Sequence, residues 1–120
     1  VFLTGGSGFL GRYLIAALKD NGAEVFALAR SAASAETVAR RGAQPIAGDL
    51  DGDGSWTKAV ADCDMVLHAA ALLVPYAPYK EFYCANVEGT RRLLTAAKSG
   101  GVRRFVQVGA AAVVMGAPRH

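Results

Sequence analysis

Three glycines set the chemistry of this chain. Gly5, Gly8 and Gly11 are spaced three apart in the stretch Thr4-Gly5-Gly6-Ser7-Gly8-Phe9-Leu10-Gly11. An apolar run precedes them and a helical pattern follows. Gly5 permits a tight turn, Gly8 lets a diphosphate approach the backbone, and Gly11 lets the helix pack closely. The N–H groups at the helix start, near Phe9 and Leu10, then face an anion along the positive end of the helix dipole. Ser7 offers a hydroxyl. A glycine triplet alone is a weak signal. Here strand, turn, helix and next strand follow in order within about 30 residues, the length of one βαβ unit, and the expectation is a dinucleotide site.

The end of the second strand bears on which dinucleotide. A site that prefers NAD places Asp or Glu about 20 residues past the glycines, to hold the ribose 2′-hydroxyl. This chain has Ala29-Arg30-Ser31 there. Arg30 offers a charge-assisted fork to a 2′-phosphate, and Ser31 offers a donor. The expected cofactor is NADP(H). The alternative is a solvated Arg30 near the adenine, with NAD tolerated.

The elements that must position these groups alternate in type. Strands are expected at Val1–Thr4, Glu24–Ala29, Gln44–Ala47, Met65–Ala69 and Arg104–Val108. Pro45 argues that the third lies at an edge. Between them, a helix with Leu10, Leu14, Ala17 and Leu18 on one face stops at Asn21 and Gly22. A second helix is expected from a Ser34 cap to Arg41, ended by Gly42. A third runs from a Ser55 cap to Ala61. A long helix from Tyr79 to Lys98 places Tyr83, Val87, Thr90, Leu94 and Ala97 on one face. This alternation predicts an α/β fold: a doubly wound parallel sheet of Rossmann type, in the order 3-2-1-4-5.

Bulk properties agree with one domain. The 120 residues are 52% hydrophobic, enough for a core and too apolar for a disordered segment. No apolar run approaches the ~18 residues of a membrane span. The net charge is +3, with arginine pairs at 40 and 41, 91 and 92, and 103 and 104. That spread reads as a mildly basic solvated surface, not a nucleic-acid reader. Cys63 and Cys84 fit no metal or disulfide pattern and are expected to be reduced thiols in a cytoplasmic protein. The chain starts inside a strand, without Met, and stops at His120 soon after another, so a truncated part of a larger domain is expected. Its bare fifth-strand edge makes a homodimer possible.

Through these residues the chain resembles the extended short-chain dehydrogenase/reductase family, the NAD-dependent epimerase/dehydratase group. Thr4–Gly11 matches that family's glycine motif. Asp49 and Leu50 match its Asp-Leu pair beside the adenine. The segment His68-Ala69-Ala70-Ala71 matches its His-x-Ala-Ala segment on the cofactor. Asn86-Val87-Glu88-Gly89-Thr90 matches its Asn-Val-x-Gly-Thr helix segment. The stretch Phe105–Gly116, which includes Val108, matches its fifth strand. The resemblance therefore implies a cofactor-facing set that includes Asp49, Leu50, Ala69, Ala70, Ala71, Asn86 and Val108. By residue chemistry alone, Asp49 could instead cap its loop, His68 suits a hydrogen-bonded structural role, and Asn86 suits a bond to buried backbone or water.

The resemblance also implies a catalytic Ser or Thr after the fifth strand and a Tyr-x-x-x-Lys pair. Here the strand end reads Val108-Gly109-Ala110-Ala111-Ala112-Val113, without a hydroxyl. The Tyr76 to Lys80 match follows the wrong strand, and Pro78 sets Tyr76 ahead of the helix. No catalytic residue is therefore expected within this chain. The reading is the NADP(H)-binding portion of an oxidoreductase or epimerase-like enzyme, with a small-molecule substrate met in the full-length protein. The alternative is a non-catalytic NADP(H) sensor on the same fold.

Overall fold

Short β-branched and apolar runs form five parallel strands because both of their faces are covered by helices. The computed structural model describes residues 1–111 and 115–116. In chain order the elements are β1 (Phe2–Thr4), α1 (Phe9–Asp20), β2 (Phe26–Ala29), α2 (Ala32–Arg40), β3 (Gln44–Ala47), α3 (Thr57–Ala61), β4 (Met65–His68), α4 (Tyr79–Phe82), α5 (Gly89–Ser99) and β5 (Arg104–Gln107). A π-helical stretch, Tyr83–Glu88, joins α4 to α5. The sheet order is β3-β2-β1-β4-β5. Phe2 lies beside Phe26 on one flank and Val66 on the other, and His68 lies beside Thr4 and Gln107. The order is the expected one, and β3 with Pro45 is an edge strand.

Alternation along the strands splits the core in two. On one face Phe2 and Val66 pack with Trp56 and Val60 near or on α3, and with Leu93 and Ala97 of α5. On the other, Leu3, Ala27 and Leu67 pack with Ile15 of α1 and Val38 of α2. Each face thus receives two helices, which is what doubly wound means here. The carboxyl ends of β1 and β4 meet at the centre of the sheet, where the chain changes direction of winding.

Four expectations need correction. The cap of α2 is Ser31, not Ser34: Ser31 Oγ accepts from Ser34 N at 3.1 Å, and Ser34 Oγ accepts from Ser31 N at 3.0 Å. Ser34 is the reciprocal partner in a capping box. Ser55 does not cap α3, whose N-cap is Trp56 without a side-chain bond. Instead Ser55 N donates to Asp53 Oδ1. The long helix from Tyr79 runs unbroken to Ser99 as expected, but Tyr83–Glu88 within it winds as a π-helix. Its extra residue turns the buried stripe by about 100°, so Gly89, Leu93 and Ala97 face inward while Tyr83, Val87 and Leu94 are exposed. Finally, β2 starts at Phe26, later than Glu24, because Gly22 and Ala23 close the preceding turn onto Lys19 and Leu18 carbonyls.

Candidate functional site

The glycine turn joins β1 to α1 at the carboxyl edge of the sheet. Gly5 has φ +75°, and a Cβ there would stand 2.8 Å from Ala69 C and Ala70 N. A side chain on Gly5 would therefore be both strained and wedged against the segment after β4. A Cβ on Gly11 would collide with the Gly5 carbonyl oxygen and lie 2.6 Å from Gly6 C. The first helical turn thus sits on the glycine turn itself. By contrast, a Cβ on Gly8 would meet Gly5 O at 3.4 Å, an ordinary contact, so the protein's own packing does not demand glycine there. Ser7, Gly8, Phe9 and Leu10 are exposed. Gly8 N bonds Gly5 O, and among the described residues no acceptor takes the N–H of Ser7, Phe9 or Leu10. Those donors face solvent at the start of a twelve-residue helix, a ready anion site.

A buried hydrogen-bond chain fixes the neighbouring seam. Thr4 Oγ1 accepts from Ala69 N at 3.2 Å and Ala70 N at 3.1 Å. Its own proton then goes to His68 Nδ1, 2.6 Å away. His68 Nε2 must carry the ring proton, which it donates to Thr90 Oγ1 at 2.9 Å, and Thr90 donates to Asn86 O at 2.8 Å. Every member is satisfied, and the imidazole tautomer follows from the order of donors. Burial lowers the His68 pKa below its ordinary value, so the ring stays neutral near pH 7. Asn86 completes the seam: its Oδ1 accepts from Leu72 N at 2.7 Å and its Nδ2 donates to Leu72 O at 3.2 Å. Both polar ends of Asn86 are thus spent on backbone, and Ala69, Ala70 and Ala71 lie in the segment so fixed.

The other predicted residues sit apart. Arg30 is exposed, and among the described residues no carboxylate pairs with it. Ser31 beside it is committed to the α2 cap, and the two serine hydroxyls meet at 3.0 Å. Asp49 shapes its own loop: Oδ1 accepts from Asp51 N at 3.1 Å, and its carbonyl accepts from Trp56 Nε1 at 2.8 Å. The Leu50 side chain is in the core, not on an open site surface. Val108 follows β5, and its N donates to His68 O at 2.9 Å. Ala110 and Ala111 are exposed beyond it; Ala112 and Val113 lie outside the described residues. Tyr76, 94% exposed, lies in the loop before α4, and Lys80 lies in α4's first turn with Pro78 as N-cap. The two do not share a helical face.

Sequence reasoning missed Arg41, which it assigned to the basic surface. Arg41 Nη1 donates to Gly6 O at 2.6 Å and Gly8 O at 2.9 Å. The available signal was spacing, since Arg41 falls three positions after the buried Val38 and shares its helix face. Phe9 at the start of α1 and Leu73, Tyr76 and Tyr79 in and after the loop that follows β4 present large exposed apolar surfaces. A groove of about 740 Å³ lies elsewhere, between α3 and α5, lined by Trp56, Lys58, Arg92 and Thr95 among others. It shares only Leu50 with the predicted set. No cluster of metal-ligating side chains occurs among the described residues, and none of their helices is long and apolar enough to cross a membrane.

A parallel sheet in this order, with a glycine turn opening onto a helix at the end of its first strand, defines a Rossmann-like unit. Residues 1–119 match the NAD dependent epimerase/dehydratase family, and the chain belongs to that NAD(P)-dependent family. It is 45% identical over 113 residues to 4-hydroxy-2-methyl-3-oxo-4-farnesyl-3,4-dihydroquinoline-1-oxide ketoreductase of Stigmatella aurantiaca, covering 94% of this chain and 34% of that protein. It is 44% identical over 94 residues to a decarboxylating sterol-4-alpha-carboxylate 3-dehydrogenase of Dictyostelium discoideum, covering 78% of this chain and 29% of that protein. The crystal structure of a short-chain dehydrogenase/reductase superfamily protein from Agrobacterium tumefaciens with bound NAD superposes with TM-score 0.77 at 33% identity, over 95% of this chain and 33% of that one. The chain thus spans about a third of the length of these relatives.

Proposed function

We propose that residues 1–120 are the NADP(H)-binding portion of an oxidoreductase that moves hydride between the cofactor and a carbonyl or alcohol carbon of a small molecule. The observation that carries the cofactor preference is the end of β2. Arg30 stands exposed there, without a carboxylate partner among the described residues, close in sequence to the N–H groups of Ala32 and Ala33, which open α2 and take no acceptor among the described residues. A 2′-phosphate finds a cation and a helix N-terminus at that place; a ribose 2′-hydroxyl finds no acceptor carboxylate. Ser31 contributes through the cap that sets the start of α2.

The residues present fit a dinucleotide. Ser7, Phe9 and Leu10 offer backbone donors to its diphosphate, and Gly5, Gly8 and Gly11 keep that approach clear. Ala69, Ala70 and Ala71 supply a small-residue floor, while Asp49 and Val108 bound the remaining edges and Leu50 packs in the core behind them. Asn86 orients this floor through Leu72. The bound cofactor supplies the hydride chemistry; this chain binds and orients it. The acid/base groups and the substrate pocket belong to the rest of a longer protein. Relatives named as a ketoreductase and a 3-dehydrogenase support an oxidoreductase over an epimerase. A cytoplasmic setting, and a second copy of the chain as a partner, accompany this reading.

Calorimetric titration of NADPH and NADH tests it, at low and moderate salt. NADPH is expected to bind at least about tenfold tighter, the scale of one good charge-assisted contact, and Arg30→Ala to remove the difference. NADH binding as tightly as NADPH would sink the preference and leave Arg30 a surface residue.

A further inference from the structure

We infer that Arg41 is a positioning residue for the phosphate-binding turn: its guanidinium fixes the turn from behind and strengthens the turn's outward N–H donors. The inference rests on the dinucleotide reading of that turn. The turn is unusually poor in internal restraint. Gly5, Gly6 and Gly8 have no side chains, Ser7 is exposed, and Gly8 N to Gly5 O is the backbone bond within it. Glycine loses more conformational freedom on ordering than any other residue, so such a turn needs an external brace.

Arg41 supplies one. Nη1 carries two hydrogens, and the two carbonyls it faces, Gly6 O and Gly8 O, are 2.6 and 2.9 Å away. Helix α2 brings it there. Val38 lies one turn earlier, and a Cβ on Gly6 would stand 3.2 Å from Val38 Cγ1. The Val38 contact and the Arg41 bonds therefore anchor the turn to the same helix face.

The bonds also act on the far side of the same peptides. The Gly6 carbonyl shares its peptide group with Ser7 N–H, and the Gly8 carbonyl with Phe9 N–H. A cation bonded to the oxygen polarises the group and makes its N–H a stronger donor. Both N–H groups are free of protein acceptors among the described residues. The Arg41 charge adds to the dipole of α1 at the same place. The two arginines thus serve different parts of the ligand. Arg30 meets only the 2′-phosphate, whereas Arg41 acts through backbone on the diphosphate that NADH and NADPH share.

The test pairs affinity with backbone dynamics. NADH and NADPH are titrated into the unchanged chain, Arg41→Ala and Arg41→Lys, and amide hydrogen exchange at Gly8, whose N–H bonds the Gly5 carbonyl inside the turn, is followed without ligand. Arg41→Ala should weaken both dinucleotides by the same factor, tenfold or more, and speed exchange in the turn while β4 and α5 are unchanged. Arg41→Lys should restore part of both effects. Unaltered affinity overturns the inference, as does a loss confined to NADPH, which would make Arg41 a direct 2′-phosphate contact. A lowered melting point with unchanged affinity and turn exchange would make it merely structural, also overturning it. If Arg41→Ala does not fold, an equal and intermediate loss in Arg41→Lys supports the inference and no loss defeats it. An unchanged chain that binds neither dinucleotide defeats the cofactor reading and this ligand role together. Turn exchange separates that failure from failure of the brace, which falls only if exchange in the variants stays unchanged.

Discussion

The two ends of the candidate cofactor site are built in opposite ways. At the junction of β1 and β4, backbone is held by buried tertiary bonds: Thr4, His68, Thr90 and Asn86 form one satisfied chain, and Gly5 lies against Ala69 and Ala70. At the end of β2, Arg30 and Ser31 are exposed side chains whose bonds, where they have any, stay within the first turn of α2. The first end has shape before a ligand arrives. The second offers charge that needs no fixed shape. Substitutions at the junction should therefore damage folding and all dinucleotide binding together, and substitutions at the β2 end should alter preference with little damage to the fold.

The largest effect should come from breaking the junction by volume. In Gly11→Val the new atoms enter space held by Gly5 and Gly6 backbone, which has no side chain to move aside. A loss of about 3 kcal/mol or more is expected in chemical denaturation, since overpacking against rigid backbone is at the severe end of such changes. Dinucleotide binding should vanish with it. The matched control is Gly22→Ala, at φ +77° in open space, where only backbone strain of about 1 kcal/mol is due. Equal losses in the two variants would show that the turn is no tighter than an ordinary helix terminus.

A gentler probe of the junction is pH. Burial lowers the His68 pKa in the folded state, while the unfolded chain titrates near the ordinary histidine value of about 6.5. Protonation would also place a hydrogen on Nδ1 opposite the Thr4 hydroxyl proton. The unfolded state therefore binds the proton first. The contribution of His68 to stability is complete above about pH 6.5 and is lost as pH falls toward the folded-state pKa, with a slope of at most ~1.4 kcal/mol per pH unit for one proton. Denaturation midpoints of the unchanged chain and His68→Gln should diverge at neutral pH and converge on acidification. Parallel curves would remove His68 from the account.

How legible each end was follows from the same contrast. The glycine spacing, the strand alternation and the Pro45 edge are local patterns, and they led to the sheet order and the turn directly. The interior of the junction was only half legible. His68 and Asn86 are marked by being polar in apolar surroundings, but their partners Thr4 and Thr90 are 64 and 22 residues from His68, and no local period announces such pairs. The π stretch Tyr83–Glu88 is likewise announced by no local period, and so the helical stripe drawn from a 3.6-residue period missed Leu93. Arg41 was hidden for a different reason: in composition it is one more surface arginine beside Arg40, and only the packing of Val38 on Gly6 turns it inward. Leu50 shows the converse, a residue marked as ligand-facing by its motif that folding places in the core.

The smallest expected effect sharpens the comparison from the open end. Ser31 and Arg30 are neighbours in sequence but do different work if the geometry is right. Ser31 Oγ accepts Ser34 N, its backbone N–H is bonded by Ser34 Oγ, and its carbonyl accepts from both Ser34 Oγ and Ala35 N. Its hydroxyl is thus occupied within the cap, leaving Arg30 as the side chain with uncommitted donors. Ser31→Ala removes the cap and should lower stability by about 1 kcal/mol, read as a shift in the thermal midpoint. Loss of the cap frays the first turn of α2, so both dinucleotides should weaken slightly and equally. The NADPH to NADH ratio should stay where Arg30 sets it. A ratio that collapses in Ser31→Ala while stability is unchanged would reverse the assignment: the hydroxyl would then be the ligand contact, and the β2 end would recognise its phosphate by a shaped pair of side chains instead of by one exposed charge.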